Sequence, residues 1–247
     1  MNTLPIHEVI DSIRSTLASH NRLILQAPPG AGKTTAVPLA LLNEPWLAGK
    51  QIIMLEPRRI AARSAASRMA HLLGEQVGMQ VGYQIKAEKK LSHKTKILVV
   101  TEGILTRMIQ NDPSLENVAL ILFDEFHERH LHSDLSLAFA LQTQEFLRED
   151  LKIMVMSATL DTGALQSLLN HPPLISSEGR SFPVTIEHLP THTPPIEAKK
   201  IVPALMSVLQ NVLIHDEGSI LVFLPGTREI KALETALKEH CTSIEID

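Results

Sequence analysis

The chain has 247 residues, of which 44% are hydrophobic and 20% are charged, and its formal net charge is -4. This length fits one large domain, or a complete domain followed by part of another, and the composition is typical of a globular protein with a buried core. The mild negative charge argues against a protein that grips nucleic acid through a broad basic face. It leaves local phosphate contacts open.

The sequence also disfavours a membrane protein and a secreted protein. No apolar run reaches the roughly 20 residues that a membrane-spanning helix needs, and the N-terminus lacks the basic and apolar regions of a secretory signal. The single cysteine, Cys241, excludes an internal disulfide and suits a reducing cytosol. We therefore expect a cytoplasmic protein with no membrane partner.

The first 160 residues alternate between two kinds of segment. Apolar residues at helical spacing predict an amphipathic helix over 5–20. Continuously apolar runs, typical of strands covered on both faces, follow at 23–27, 51–55, 96–100, 118–123 and 152–156. Helix-length stretches such as 58–73 and 102–110 separate them. This alternation predicts an α/β fold with a parallel sheet and crossover helices.

The composition of the chain changes after residue 169. Residues 171–195 are rich in Pro, Ser, Thr and His and predict a linker with a strand or two. Helices are then predicted over 197–213 and 228–239, with a strand over 219–226 between them, and the last residues resemble the opening of another strand. We interpret 1–175 as a whole α/β domain and 176–247 as a linker and the first part of a second domain, cut short.

The segment LILQAPPGAGKTTAV (23–37) predicts a phosphate-binding loop. It matches G-x-x-x-x-G-K-[ST] except at the first position, where Ala27 replaces glycine. Small residues let backbone N–H groups converge on phosphate oxygens, Lys33 reaches the β- and γ-phosphates, and the Thr34 hydroxyl can bind Mg²⁺. Pro38 predicts a kink or an early end in the following helix. The predicted nucleotide-binding residues here are Pro29, Gly30, Ala31, Gly32, Lys33, Thr34 and Thr35.

Asp124 and Glu125 follow the apolar run 118–123, at the end of a strand where ligands of open α/β sheets bind. Asp124 is predicted to hold Mg²⁺ and Glu125 to act as general base on the attacking water. Thr34, Asp124 and Glu125 together form the predicted metal site. The paired carboxylates favour hydrolysis over transfer to a small acceptor.

Three histidines close to these carboxylates offer a second possibility, a transition-metal site. His127 and His130 are three residues apart, however, whereas a zinc-binding helix of the H-E-x-x-H type spaces its histidines four apart. We expect His130 and His132 to lie on a solvated helix start, and the transition-metal reading stays the weaker one.

Seven segments together resemble the DEAH/RHA group of superfamily 2 helicases, and most closely its bacterial branch. They are GAGKTT (30–35), EPRRIAARSAASRMA (56–70), TEGILTRM (101–108), DEFHERH (124–130), SATL (157–160), SEGRSFPV (177–184) and FLPGTREI (223–230). The segments stand in the family's order and cover nearly the whole chain. The resemblance implies a RecA-like P-loop NTPase domain with a parallel sheet and flanking helices, followed by the start of a second RecA-like domain.

The resemblance also implies roles for individual residues. Arg68 corresponds to an arginine that stacks on adenine, and His127 to the residue that couples the nucleotide site to the partner domain. Ser157 and Thr159 would relay the nucleotide state to nucleic-acid binding. The residues implied to contact the nucleic-acid backbone are Arg58, Arg59, Lys86, Thr101, Glu102 and Gly103. Lys86 stands where an arginine is usual, which keeps a phosphate contact but not a bidentate one.

Simpler roles compete with these. Arg58, Arg59 and Arg68 could be ordinary solvated helix residues. Ser157 and Thr159 could be turn or cap residues.

The implied activity is that of an ATP-dependent RNA helicase or translocase. Its cofactors would be ATP and Mg²⁺, its partner single-stranded RNA held by the backbone, and the protein is expected to be a monomer. The arginine fingers that the family carries in motif VI lie beyond these 247 residues. An arginine finger is worth roughly 10³–10⁵ in turnover, so we expect this chain to bind ATP with Mg²⁺, hydrolyse it very slowly and not unwind RNA.

Two alternative functions remain. A P-loop kinase of a small metabolite is disfavoured by the Asp-Glu pair, and a phosphorylated product would support it. A nucleotide-dependent RNA-binding scaffold without motor activity is the other. Glu125→Gln separates the scaffold from a motor, because only a motor would lose ATPase activity while keeping ATP binding.

Overall fold

The computed structural model describes residues 4–158, 162–179, 183–188 and 201–240. Contacts divide the chain into two compact units, Met1–Phe182 and Pro183–Asp247. No helix in the described ranges is both long and apolar enough to cross a bilayer.

An eight-stranded sheet organises the first unit. Its strands are β1 (Arg22–Gln26), β2 (Gln51–Glu56), β3 (Val81–Ile85), β4 (Glu88–Lys90), β5 (Ile97–Thr101), β6 (Val118–Phe123), β7 (Lys152–Ser157) and β8 (Leu174–Ser176). They lie in the order β4-β3-β5-β2-β6-β7-β1-β8. All neighbours are parallel except the β3–β4 hairpin. The predicted α/β class with a mostly parallel sheet is confirmed.

Helices cover both faces of this sheet, which is why its central strands are apolar throughout. They are α1 (Ile10–Ser19), preceded by a short 3-10 helix (Pro5–Val9), α2 (Lys33–Leu41), α3 (Arg59–Leu72), α4 (Glu102–Asn111), α5 (Leu131–Phe146) and α6 (Thr162–Leu168). Successive strand residues alternate between two apolar clusters: Leu23 and Leu25 join one, and Ile24 the other. This alternation shows that the two clusters lie on opposite faces of the sheet.

The strand order determines which polar side chains lie near the loop that follows β1. The strands β2, β6, β7 and β1 are consecutive neighbours, so their carboxyl ends share one edge of the sheet. Glu56, Asp124 and Ser157 therefore come close to the loop that follows β1. Open parallel sheets bind their ligands at this edge.

Most predicted elements of the first unit are present within a residue or two. The helix that contains Pro38 ends early, at Leu41, as the proline predicts. No pattern in the sequence predicted β4, whereas the edge strand β8 lies within 171–195, where a strand or two were predicted.

The second unit contains α7 (Ile201–His215) and α8 (Thr227–His240) among its described residues. The strand predicted over 219–226 is wrong, because this stretch has no regular structure and Leu221 and Phe223 are 78% and 86% exposed. A strand needs a neighbour for its backbone hydrogen bonds, and the described part of this unit holds no other strand. The strand opening predicted at residues 243–247 lies outside the described residues.

Candidate active site

The phosphate loop joins β1 to α2 and takes its shape from two glycines. Gly30 has a φ of 78° and Gly32 a φ of 94°, a left-handed region that side chains with a Cβ enter only under strain. Gly32 directly precedes α2, and a helix N-terminus favours an anion through its free N–H groups and its dipole. The N-terminal 3-10 helix braces the loop, since the Ile6 N–H donates to the Ala31 carbonyl at 3.2 Å.

Gly32→Ala is expected to lower the free energy of unfolding by about 2 kcal/mol, and Gly30→Ala by about 1 kcal/mol. Both glycines are left-handed, but a Cβ at Gly32 would come within 2.7 Å of Leu4 Cδ1, whereas one at Gly30 meets nothing within 4 Å. Urea unfolding of the nucleotide-free chain measures both losses. Equal losses would show that the Leu4 contact contributes nothing.

Lys33 and Thr34, the first residues of α2, meet the two carboxylates that follow β6. Lys33 Nζ lies 2.8 Å from Glu125 Oε1, and the lysine is only 3% exposed. The Thr34 hydroxyl donates to Asp124 Oδ2 at 2.5 Å. A hydroxyl and a carboxylate are hard oxygen ligands of the kind that Mg²⁺ prefers, so the side chains at this position fit that ion.

The backbone fixes the direction of both carboxylates. The Asp124 N–H donates to the Leu55 carbonyl at 3.0 Å, which holds the residue against the end of β2. The Glu125 N–H donates to Asp124 Oδ1 at 2.8 Å. Glu125 itself has a φ of 49°, and this left-handed turn separates the directions of the two neighbouring side chains. Asp124 is buried, while Glu125 faces the loop and is partly exposed.

A third carboxyl, which sequence reasoning missed, stands behind this pair. Glu56 ends β2, is 2% exposed, and its Oε1 has no hydrogen-bond partner among the described residues. Burial, followed by the charge of Asp124 and a hydrogen bond with it, raises the pKa of Glu56 to about 9. Burial also raises the pKa of Asp124. Glu56 is therefore a neutral acid at pH 7 in the ligand-free chain.

His127 lies between Glu125 and the end of β7. Its Nδ1 is 3.3 Å from Glu125 Oε2 and accepts a hydrogen bond from the Ala158 N–H at 3.4 Å. One ring nitrogen cannot donate to the carboxylate and accept from the backbone at the same time. His127 can therefore exchange one partner for the other. Ser157 is buried at the end of β7, and Thr159 lies outside the described residues.

A cavity of about 850 Å³ opens over the phosphate loop. The predicted residues that line it are Pro29, Gly30, Gly32, Lys33, Thr34, Thr35, Arg68 and Glu125. Ala31 and Asp124 do not line it, because both are buried behind its wall. Leu4, His7 and Arg14 also line it and carried no signal in the sequence, since no motif includes them.

A second cavity, of about 600 Å³, lies between the β3–β4 hairpin and α4; we call it the groove. Five of the six residues implied to contact nucleic acid line it: Arg59, Lys86, Thr101, Glu102 and Gly103. Lys89 and Arg107 line it as well and were not predicted. Arg58 does not, because its Nη2 pairs with Glu128 Oε1 at 2.5 Å.

The acidic residues of the groove are occupied by partners of their own. Glu88 accepts hydrogen bonds from Tyr83 and Arg63, which lower its pKa and tie the hairpin to α3. Glu102 accepts a hydrogen bond from the Ser133 hydroxyl at 2.6 Å. Arg63 offsets the charge of Glu88, while Ser133 only orients the carboxylate of Glu102. The groove lining holds four basic side chains, Arg59, Lys86, Lys89 and Arg107, against these two acids.

The histidines form no metal centre within the described ranges, where no group of three or more His, Cys, Asp or Glu side chains could hold an ion. His130 directly precedes α5 and His132 lies in its first turn, and both are exposed, as expected of a solvated helix start. His130 Nε2 lies 2.9 Å from Glu128 Oε2.

These observations define a class of protein. A phosphate loop between a parallel strand and a helix, with its lysine and threonine against an Asp-Glu pair from the same sheet, is the arrangement of a P-loop nucleoside triphosphatase domain. The sequence model of the DEAD/DEAH box helicase family matches residues 7–168. The chain belongs to that family.

Individual relatives agree. The ATP-dependent RNA helicase HrpB of Escherichia coli (strain K12) is 46% identical over 243 residues, which cover 98% of this chain and 29% of that protein. The probable ATP-dependent RNA helicase DHX34 of Homo sapiens is 36% identical over 97% of this chain and 21% of its own length. The chain thus spans less than a third of these relatives.

A solved structure gives the same result. The crystal structure of the Escherichia coli DEAH/RHA helicase HrpB matches with a TM-score of 0.84 at 44% identity, over 99% of this chain and 30% of that one. The predicted resemblance to the DEAH/RHA group and to its bacterial branch is confirmed.

Proposed function

We propose that this chain is the ATP-binding part of an ATP-dependent RNA helicase or translocase. One observation carries the proposal, namely that the nucleotide site and the groove lie at the same edge of one sheet. Lys33 and Thr34 of the phosphate loop contact Glu125 and Asp124, respectively, at this edge. Thr101, which lines the groove, ends β5 at the same edge. A nucleotide site and an anion-binding groove on one sheet give ATP and RNA separate places on the same rigid body.

Each residue of the nucleotide site has a chemical task in this proposal. Lys33 and the loop N–H groups neutralise the β- and γ-phosphates, and Arg68 packs on the base at the far side of the cavity. Mg²⁺, when bound with ATP through Thr34 and Asp124, would neutralise charge that develops on the phosphates. Glu125 accepts the proton of the attacking water. Its second oxygen already faces His127, which keeps that oxygen oriented.

His127 is proposed to couple this chemistry to the end of β7. The Glu125 carboxylate changes its charge when it takes a proton, and His127 Nδ1 then exchanges the carboxylate for the Ala158 N–H, or the reverse. Ser157 and Thr159 would pass that change on. The contacts of Nδ1 with Glu125 and Ala158 support the role.

The groove is proposed to hold single-stranded RNA by its phosphates. Arg59 and Lys86 supply charge without base contacts, which gives binding that is independent of sequence. Thr101 and Gly103 at the start of α4 add a hydroxyl and backbone contacts, while the carboxylate of Glu102 stays bound to Ser133. We further propose that the protein acts as a monomer. A location in the cytosol is proposed as well, since a single cysteine suits a reducing compartment.

Lys86→Ala or Arg59→Ala is expected to weaken binding of a fluorescein-labelled 12-nucleotide oligo(U) by about three- to tenfold and to reduce the salt slope by about one. Fluorescence anisotropy of the purified chain, with ATP and Mg²⁺ present, measures both. Lys94→Ala is the matched control, because it removes one positive charge from an exposed residue. Lys94 precedes the amino end of β5, whereas the groove lies at the carboxyl end of that strand. Equal effects at all three positions, or no RNA binding, would exclude the groove.

A further inference from the structure

Arg58 lies beside the groove but is not part of its lining. Its neighbours Pro57 and Arg59 both line the groove, while its own guanidinium contacts Glu128 Oε1 at 2.5 Å. The Arg58 side chain is 70% exposed, so a phosphate in the groove can reach it without crossing the protein interior. The arginine implied to contact nucleic acid is thus already paired with an anion of the chain itself.

Glu128 is suited to release that arginine. Its other oxygen, Oε2, lies 2.9 Å from His130 Nε2, so the carboxylate keeps a partner after Arg58 leaves. Arg58 makes one contact with Glu128 and is itself 70% exposed, although the Glu128 side chain is only 21% exposed; ion pairs with an exposed partner contribute little to stability. A phosphate can therefore compete for Arg58, since it can offer the planar guanidinium two parallel hydrogen bonds in place of one.

The position of Glu128 links this exchange to the nucleotide site. Its backbone N–H donates to the Glu125 carbonyl at 3.0 Å, within the short 3-10 helix Phe126–Glu128. Glu125 in turn holds Lys33 and faces His127. One turn of backbone thus connects Glu128 to the proposed general base.

A second contact joins the same stretch of chain to the groove. Ser133, in the first turn of α5, donates to Glu102 Oε1 at 2.6 Å. Residues 126–133 thus hold one cation beside the groove and one anion within it, and both contacts begin directly after the Asp-Glu pair. The stretch follows Glu125, which lines the nucleotide cavity, and its Ser133 contacts Glu102, which lines the groove.

We propose that Glu128 stands in for an RNA phosphate: its carboxylate holds Arg58 while the groove is empty, and a phosphate of bound RNA displaces it. Glu128 is a positioning residue here, which acts on Glu125 through the turn that both share. The inference rests on the proposed binding of RNA in the groove. It adds a residue outside the groove lining that limits RNA affinity and reports the occupancy of the groove to the nucleotide site.

Glu128→Gln is expected to tighten binding of the labelled oligo(U) by about two- to fivefold, because the competing anion is removed while the size of the side chain is kept. Glu128→Ala should act in the same direction. Asp134→Asn is the matched control: it also removes the acidic partner of an exposed arginine, Arg129, at 3.2 Å, but neither chain neighbour of Arg129 lines the groove. It should change RNA affinity less than 1.5-fold, roughly the smallest effect of such a pair.

A double-mutant cycle with Arg58→Ala tests the mechanism itself. In the Arg58→Ala background, Glu128→Gln should no longer tighten RNA binding, since there is no arginine left to release. An equal gain with and without Arg58 would overturn the inference, because it would reduce Glu128 to a general charge effect. If the unmodified chain binds RNA and Glu128→Gln does not tighten it, only this inference fails. If the unmodified chain binds no RNA, the proposed function and the inference fail together.

Discussion

Lys33→Ala is expected to weaken the binding of ATP with Mg²⁺ by about 100-fold or more, which is the usual loss when one partner of a buried charge pair is removed. Lys33 Nζ is 2.8 Å from Glu125 and the residue is almost fully buried. Without the lysine, an incoming triphosphate would meet Glu125 and Asp124 with their charges uncompensated. Repulsion would then add to the lost phosphate contact.

Titration with a fluorescent ATP analogue measures the loss. The control is Lys50→Ala, which removes a lysine from an exposed pair with Asp150 at 3.4 Å and should leave the affinity unchanged. A loss of less than threefold for Lys33→Ala would contradict the assignment of this loop as the phosphate site. Thermal unfolding of both variants separates a loss of binding from a loss of folding.

Glu56→Gln is expected to raise the free energy of unfolding of the ligand-free chain at pH 8 by about 1–3 kcal/mol. The pKa of Glu56 is raised from 4.5 to about 9 in the folded chain. Between these values the unfolded chain has lost a proton that the folded chain keeps, so this group's contribution to stability is full below pH 4.5 and falls as the pH rises towards 9. Glutamine has no proton to lose and keeps an N–H donor for Asp124.

Urea unfolding at pH 5.5 and pH 8.5 measures that difference. The two proteins should be nearly equal at the lower pH and diverge at the higher one. Glu145→Gln, an exposed position on α5, should give parallel curves at both values. A Glu56→Gln variant that is destabilised equally at both pH values would show that the carboxyl is needed for packing and is not held neutral.

The sequence predicted that Thr34, Asp124 and Glu125 lie together beside the phosphate loop, but not that Lys33 pairs with Glu125. Lys33, Thr34, Asp124 and Glu125 each follow a buried strand, and parallel strands place their carboxyl ends at one edge, so local pattern and sheet topology give the same answer. Glu56 follows a buried strand too, but nothing in its neighbours shows that its side chain turns inward and remains neutral. That outcome depends first on burial and then on Asp124, and both come from parts of the chain that are distant in sequence.

The remaining differences have the same origin. Arg58 and Arg59 are adjacent and chemically alike, yet only Arg59 lines the groove, because Glu128 lies within reach of Arg58 alone. An apolar run such as 219–226 has the composition of a strand. It lacks a neighbouring strand within the described part of its unit, and composition cannot show whether a neighbour exists.

The sheet order has a consequence for the way the chain acquires its shape during synthesis. The strand β1 is made before both of its neighbours, because it lies between β7 and β8, so that Arg22 pairs with Ile153 and Ile24 with Leu174. Such distant pairing is slow because a long loop must close first. The phosphate loop therefore follows a strand that has no partner until β7 has left the ribosome. Until then β1 is an unpaired apolar segment, and such segments of an incompletely folded chain are prone to aggregate.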